Sequence, residues 1–293
     1  MPVTAPGRSD GAGGTAGLDG GGAVAVPDPQ AELVARGIVL RSSADAPAEL
    51  CVGGVAESYP PQCSGPVLEG AFSWDDVQVE EASGVTWTND ASWAVGHLDL
   101  DAGDQGTFTL TRPLSADPPE DFTPPAQDAV PFPQLCTDPT GDVPDVDQAA
   151  RTQGSDGMDE EQALMALLPE LDGYVASWVC DGGPLMNVVV TSDTDVDEVR
   201  ARIREVFSGP LCVEARDLPT EADVLAAQDA LNPRFEELRL TSIGSGVSGL
   251  LEVGVLVADR PTVDAVHELV SPWLGPDQLV ITSTFLPLEG QGR

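Results

Sequence analysis

Two stretches of this 293-residue sequence, 152–218 and 219–285, match each other at an offset of 67 residues without a gap. A supersecondary unit that occurs twice has to bury the same face twice, so an internal repeat constrains the architecture more than any short motif. We therefore predict one structural unit in two copies. The matched positions are Val188 with Val255, Val190 with Val257, Val196 with Val263, Asp197 with Asp264, Val199 with Val266, and Val213 with Val280.

Each copy is predicted to contain a helix, two strands, a second helix and a third strand. The predicted elements are helices 158–168 and 196–207 with strands 174–179, 186–191 and 211–215 in the first copy, and helices 221–231 and 262–273 with strands 238–243, 250–257 and 279–285 in the second. A hairpin followed by a right-handed helical crossover returns the third strand parallel to the second. We place this third strand beyond the first one, which brings Cys180 and Cys212 close together.

The region 32–114 is a series of short predicted strands separated by turns. The last two, 93–100 and 106–112, alternate apolar and polar residues across the turn DAGDQG, which is typical of a hairpin. No helical period is present. Five or six short strands in about 80 residues predict a small antiparallel β-barrel of OB-like type, or a sandwich.

The whole chain is therefore predicted to be α+β, with two folded parts and three connecting or terminal segments. Residues 1–31 are rich in Gly, Ala and Pro without periodicity, which predicts a disordered arm. Many prolines and acids in 115–151 predict an extended linker between the β domain, 32–114, and the duplicated α+β domain, 152–285. We assign 286–293 to a tail.

The charge of the chain excludes two classes of partner. Asp and Glu number 49 against 13 basic residues, all of them arginine, and the net charge is -36. Binding to nucleic acid or to anionic lipid relies on clustered basic side chains. We therefore expect no nucleic acid and no membrane surface among the partners.

Five cysteines are spread widely along the sequence, at positions 51, 63, 136, 180 and 212. None forms a CxxC pair, and with only His97 and His267 elsewhere they do not predict a zinc site. Such spacing in an acidic chain favours disulfides. A bridge between Cys51 and Cys63 would close a short proline-containing loop and stabilise the β domain by about 2 to 3 kcal/mol.

The remaining three cysteines are predicted to give one disulfide that includes Cys212. Its partner is either Cys180, from the strand geometry above, or Cys136, which would fix the linker against the second domain. We favour Cys136, because a thiol in a polar linker has no packing role, whereas Cys180 can serve as a small apolar strand residue.

The cysteine pattern also bears on the compartment. We expect an extracytoplasmic protein because disulfides persist in oxidising surroundings, although residues 1–30 contain no apolar run typical of a signal peptide. The alternative is a cytoplasmic protein with free thiols. Because no stretch approaches the roughly 20 apolar residues of a membrane span, we expect no membrane insertion. We also expect a monomer in solution.

No combination of residues in the sequence predicts catalysis, a cofactor or a metal site. The run DLDAGDQG superficially resembles a calcium loop, but Asp104 and Leu110 occupy the positions where an EF-hand has Gly and Glu. His97 and His267 lack partners that would indicate a triad. The tryptophans of the β region, Trp74, Trp87 and Trp93, are expected to pack in a core, with a sugar or peptide groove as the alternative.

Two resemblances add to these patterns. The segments LCVGGVAESYPPQCSGP and GPLCVEARDLPTEADVLAAQ resemble uncharacterised exported proteins and lipoproteins of actinobacteria, a family without an assigned activity. The segment ASWVCDGGPLMNVVVTSDTDVDEVRARI is similar to the prosegments of alpha-lytic-type secreted serine proteases, in which two strands precede a helix and a strand.

We expect a non-enzymatic extracytoplasmic binding or interaction protein, with a protein or a small ligand as its partner. The resemblance to prosegments implies an alternative, a chaperone or inhibitor of a secreted protease. An enzyme of unrecognised type is the third possibility.

Overall fold

The computed structural model describes residues 31–288, except for 57, 104, 126–131, 137–154 and 182–184. The fold is α+β. The predicted arm and most of the predicted linker lie outside the described residues.

The described part of the β region contains seven strands. They are β1 (Leu33–Arg41), β2 (Glu49–Cys51), β3 (Val67–Gly70), β4 (Val79–Ala82), β5 (Val85–Thr88), β6 (Ser92–Asp99) and β7 (Thr107–Leu110). Five of these close into a ring in the order β1, β2, β3, β7, β6 and back to β1, and the β4–β5 hairpin extends from the far end of β1. The pair β3–β7 is parallel, so the barrel is mixed and not antiparallel as predicted. The intervening strands β4 to β6 return the chain to the side of β3 in the same direction.

Strand β1 exchanges partners along its length, which is what allows the ring to close. It pairs with β6 through residues 33–37 and with β2 through residues 38–40. Gly37 lies at the exchange, where an added Cβ would come within 2.1 Å of the carbonyl oxygen of Cys51. Only glycine permits this approach of two backbones.

In its described residues, the α+β region contains four α-helices and six strands in two units. The first unit has α1 (Ser155–Leu167), β8 (Tyr174–Val179), β9 (Met186–Thr191), α2 (Val196–Arg204) and β10 (Leu211–Arg216), and the second has α3 (Glu221–Leu231), β11 (Leu240–Ser245), β12 (Leu251–Val255), α4 (Arg260–Val270) and β13 (Leu279–Ser283). In both sheets the second strand is central, antiparallel to the first and parallel to the third.

Two details of the predicted repeat are wrong. The third strand lies beside the second and not beyond the first, because the crossover helix returns the chain to the strand that it has just left. In addition, Leu211 follows its partner Met186 by 25 residues, whereas Leu279 follows Leu251 by 28. No ungapped offset of 67 fits both strand pairs, so Val213 and Val280 are not equivalent positions.

Each crossover helix buries one apolar stripe. Val199 and Ile203 of α2, and Val266 and Val270 of α4, are all buried against their own sheets. Asp195 caps α2 by accepting from two backbone N–H groups, and Asp259 caps α4. The apolar spacing of each helix therefore determines which face it buries.

The barrel and the second unit share a core. Leu256, Val257 and Phe285, which follow β12 and β13, pack inside the barrel among its own apolar residues. The Phe285 ring lies 4.9 Å from that of Phe108, centroid to centroid. Residues assigned to a tail instead continue into a short strand, β14 (Leu286–Pro287), which pairs with β1.

Candidate functional site

Residues 132–136 cross the first unit, and we call this segment the strap. At one end the backbone N–H of Asp181, just after β8, donates to the carbonyl of Phe132 at 2.9 Å. The Asp181 carboxylate accepts from the Phe132 N–H, also at 2.9 Å. The strap then crosses the sheet face that is turned away from α1 and α2, and the Trp178 indole N–H donates to the carbonyl of Pro133 at 2.9 Å.

Asn187 holds the middle of the strap. Its side chain is fully buried on the central strand β9, where its Oδ1 accepts from the Leu135 N–H at 3.1 Å and its Nδ2 donates to the Trp178 carbonyl at 3.4 Å. A buried amide without such partners would cost about 1 to 3 kcal/mol. The polar residue inside the apolar run LMNVVV is thus matched to the strap.

A disulfide between Cys136 and Cys212 of β10 fixes the far end of the strap. This is the pairing that the sequence argument favours over Cys180. Cys180 is buried beside the bond, in a cluster with Leu185 and Cys212. The second disulfide joins Cys51 to Cys63, as expected, and packs against Leu40 and Trp87 in the β region.

A cleft of about 400 Å³ lies where the strap, the first unit and the second unit meet. Its walls are the residues of β8, the first turn of α3, the end of β11 with the turn that follows it, and Phe132 of the strap. The side chains that line the cleft include Phe132, Tyr174, Ser177, Trp178, Glu221 and Glu252. Among the described residues that line the cleft, none is basic.

The two carboxylates of the cleft have different surroundings. Burial raises the pKa of Glu221, the first residue of α3, above its ordinary value. Glu252 is exposed and accepts a hydrogen bond from the Ser248 hydroxyl at 3.1 Å. Burial also raises the pKa of the Tyr174 phenol, which exchanges a hydrogen bond with Ser177 at 2.9 Å. The cleft therefore offers negative charge and hydroxyl groups above an apolar floor.

One wall of the cleft is a sheet edge. Strand β8 is the last strand in the order β10, β9, β8, and edge strands present backbone groups that are not paired within the sheet. At the end of β8, the side chain of Val179 is 48% exposed. Two residues later, Asp181 binds Phe132 of the strap, which is 47% exposed. This combination of backbone and apolar surface is suited to binding another chain.

The residues singled out in the sequence lie elsewhere. Trp87 is buried beside the first disulfide, Trp74 stacks under Arg41 at 5.3 Å, and Trp93 contacts Phe122. His97 contacts the carbonyl of Ala31 at 3.2 Å. The cleft could not be predicted from the sequence because its walls come from segments far apart in the chain. Asn187, a polar residue in an apolar run, was the local signal that a polar group covers β9.

Within the described residues, no group of three or more His, Cys, Asp or Glu side chains is arranged to hold a metal ion. No helix in that part of the chain has the length and apolar character needed to cross a bilayer. Comparison with known proteins gives no match, either to a family model, to a curated protein or to a solved structure.

Proposed function

We propose that this chain is a non-enzymatic, extracytoplasmic binding protein, and that the cleft between its two units is the ligand site. The observation that carries the proposal is the cleft itself, with an open sheet edge in one wall and carboxylates in the others. Ligand sites are commonly concave, with an apolar lining and a few polar groups that orient the ligand. The two disulfides support an oxidising compartment.

Two further features of the architecture belong to this proposal. We infer that the two units are diverged copies of one ancestral unit, supported by their common element order and pairing senses. We also infer an OB-type barrel, supported by five strands that close in a ring. Superposition of the two units in a crystal structure would test the first inference.

Intrinsic tryptophan fluorescence tests the proposed site, because Trp178 lines the cleft and its indole N–H is held by Pro133. Oligopeptides, oligosaccharides and small organic cations would be titrated into the wild type and into Trp178→Phe. We expect at least one class to change the emission of the wild type and not of the variant. If none changes the Trp178-dependent emission, the cleft is not the ligand site.

A second candidate is a prosegment-like chaperone or inhibitor of a secreted protease. The edge of β8 favours it, because no further strand of the described chain pairs there and a strand of the protease could do so. Inhibition or refolding assays with purified secreted serine proteases would test this candidate. An absence of effect on every protease at micromolar concentration would reject it.

A further inference from the structure

The backbone of β8 directs some of its hydrogen-bonding groups away from β9, at the sheet edge whose residues line the cleft. The N–H of Cys180 donates across to Leu185 at 3.0 Å, and in an antiparallel pair the groups that face the partner strand recur at every second residue. The backbone N–H and C=O groups of Trp178 and Cys180 therefore face β9. Those of Ser177 and Val179 point outward. The N–H of Asp181 also points outward, where it meets the carbonyl of Phe132.

The strap already adds one residue to this edge. Phe132 accepts from Asp181 as the first residue of an added strand would. The next residue, Pro133, has no N–H with which to continue the pairing, and the strap turns away over the sheet face towards Asn187. The edge from Val179 back to Tyr174 is left beside the cleft.

The negative charge of the cleft favours a positively charged ligand. Glu221 and Glu252 lie in its walls without a basic lining residue in the described chain, and the whole chain carries a net charge of -36. Phe132 and Val179, both about half exposed, offer apolar contacts at one end. An extended segment with basic and apolar side chains would satisfy the backbone edge, the carboxylates and the apolar surface together.

We propose that β8 binds an extended, basic segment of a partner protein as an added strand of the first sheet, with its basic side chains held by Glu221 and Glu252. This inference rests on the proposed function, since it names the partner class of the same cleft. About five residues of the segment would pair with the edge from Val175 to Val179, since the N–H of Tyr174 is already bonded to the Leu171 carbonyl. Backbone pairing supplies affinity, and the carboxylates supply specificity.

The probe is a fluorescein-labelled decapeptide of alternating Val and Arg, measured by anisotropy with the full chain. Two control peptides replace Arg by Glu, or carry N-methyl groups on the four central residues and so cannot pair as a strand. We expect the Val-Arg peptide to bind at least about tenfold more tightly than either control. Equal binding of the N-methylated peptide overturns strand addition, and equal binding of the Val-Glu peptide overturns the assignment of a basic partner.

Two protein variants locate the site. Glu221→Gln with Glu252→Gln should weaken binding about tenfold or more. The matched control is Glu80→Gln with Glu81→Gln, which removes two exposed carboxylates from β4, an edge strand of the β region that does not line the cleft. If the control pair weakens binding as much as the cleft pair, the proposal is wrong.

A third variant, Ser177→Pro, removes one outward N–H from the edge and should abolish binding. Circular dichroism shows whether it folds, and the carboxylate variants decide the question if it does not. Failure of the peptide in a protein whose Trp178 emission still responds to another ligand class overturns the strand proposal and leaves the proposed function standing. If neither the peptide nor any other class produces a Trp178 response, both are overturned.

Discussion

The two sheets of the α+β region have the same strand order, but the faces that their helices leave uncovered differ. In the first unit this face carries an apolar patch of Val175, Trp178 and Val189, buried beside Asn187 beneath the strap and the tip of the β11–β12 hairpin. In the second unit the corresponding face carries Val280 and otherwise mainly small or polar residues. They include Ser242, Gly244, Glu252, Gly254 and Thr282.

This difference shows two ways of holding one topology in place. The strap contributes only Leu135 as a covering aliphatic side chain, so a covalent bond to Cys212 secures it. The second unit has no such strap among the described residues and is held through Leu256, Val257 and Phe285 in the core of the barrel. The first unit is thus held by a covalent bond, whereas the second is held by buried apolar area.

The largest effects are expected where the two units are alike. Val199→Asp and Val266→Asp each place an unpaired charge in a core where the valine is no more than 4% exposed. We expect each to lower the free energy of unfolding by about 4 kcal/mol or more. Urea denaturation followed by circular dichroism measures the loss.

The control for this pair is Ala201→Asp, at an exposed position of α2, which should change stability by less than about 1 kcal/mol. A small effect of Val199→Asp or Val266→Asp would mean that one crossover helix does not depend on its apolar stripe.

Phe285→Ala tests the anchor of the second unit. Because Phe285 is fully buried against Phe108, its truncation should cost about 3 to 5 kcal/mol. The matched variant Phe132→Ala removes the same ring from a site that is 47% exposed and should cost much less. Similar losses in the two variants, measured by chemical denaturation, would argue against the shared core.

Removal of one disulfide at a time tests the anchor of the first unit. Cys136 and Cys212 are 76 residues apart in sequence, whereas Cys51 and Cys63 are 12 apart. The longer loop restricts the unfolded chain more, so Cys136→Ser should cost about 4 kcal/mol and Cys63→Ser about 3 kcal/mol. Denaturation midpoints in the opposite order would contradict this account.

The smallest effect is expected at Glu221, where the second unit borders the edge of the first. Its folded-state pKa lies above the ordinary value of 4.5 because of burial, so the folded chain holds the proton more tightly than the unfolded chain. The contribution to stability therefore rises as the pH falls through the folded-state pKa, and is complete below 4.5.

Accordingly, Glu221→Gln should stabilise the protein slightly at pH 7, by less than about 1 kcal/mol, and not at pH 4. Thermal unfolding at the two pH values measures the change, with Glu161→Gln at an exposed position of α1 as the control. A variant that is equally stabilising at both pH values would rule out the ionised carboxylate as the cause.

Local patterns in the sequence predicted the elements better than their arrangement. Strands β8 and β9 and helix α3 begin and end where periodicity and turn residues placed them, because these signals lie within a few residues. The neighbour of β10 could not be read in this way, since the pairing joins segments separated by a helix. Strand β14 has only two residues and therefore no period at all.

The disulfides and the cleft show the same division. Cys136 was predicted to bond because a thiol in a polar linker has no packing role, which the local sequence alone indicates. The cleft depends on Glu221, Ser177 and the turn after β11 meeting in space. No spacing in the sequence records this, because each segment also has an ordinary structural role.

The position of Phe285 has a consequence for the order of synthesis. The barrel begins at Leu33, yet its interior is complete only when Phe285 arrives, and the N–H of Leu288 then donates to the carbonyl of Glu32 at 3.0 Å. As the chain emerges from the ribosome, the β region is thus made before the α+β region but is finished after it. Factors that shield unfinished proteins would meet an unfilled β region until almost the whole described chain has emerged.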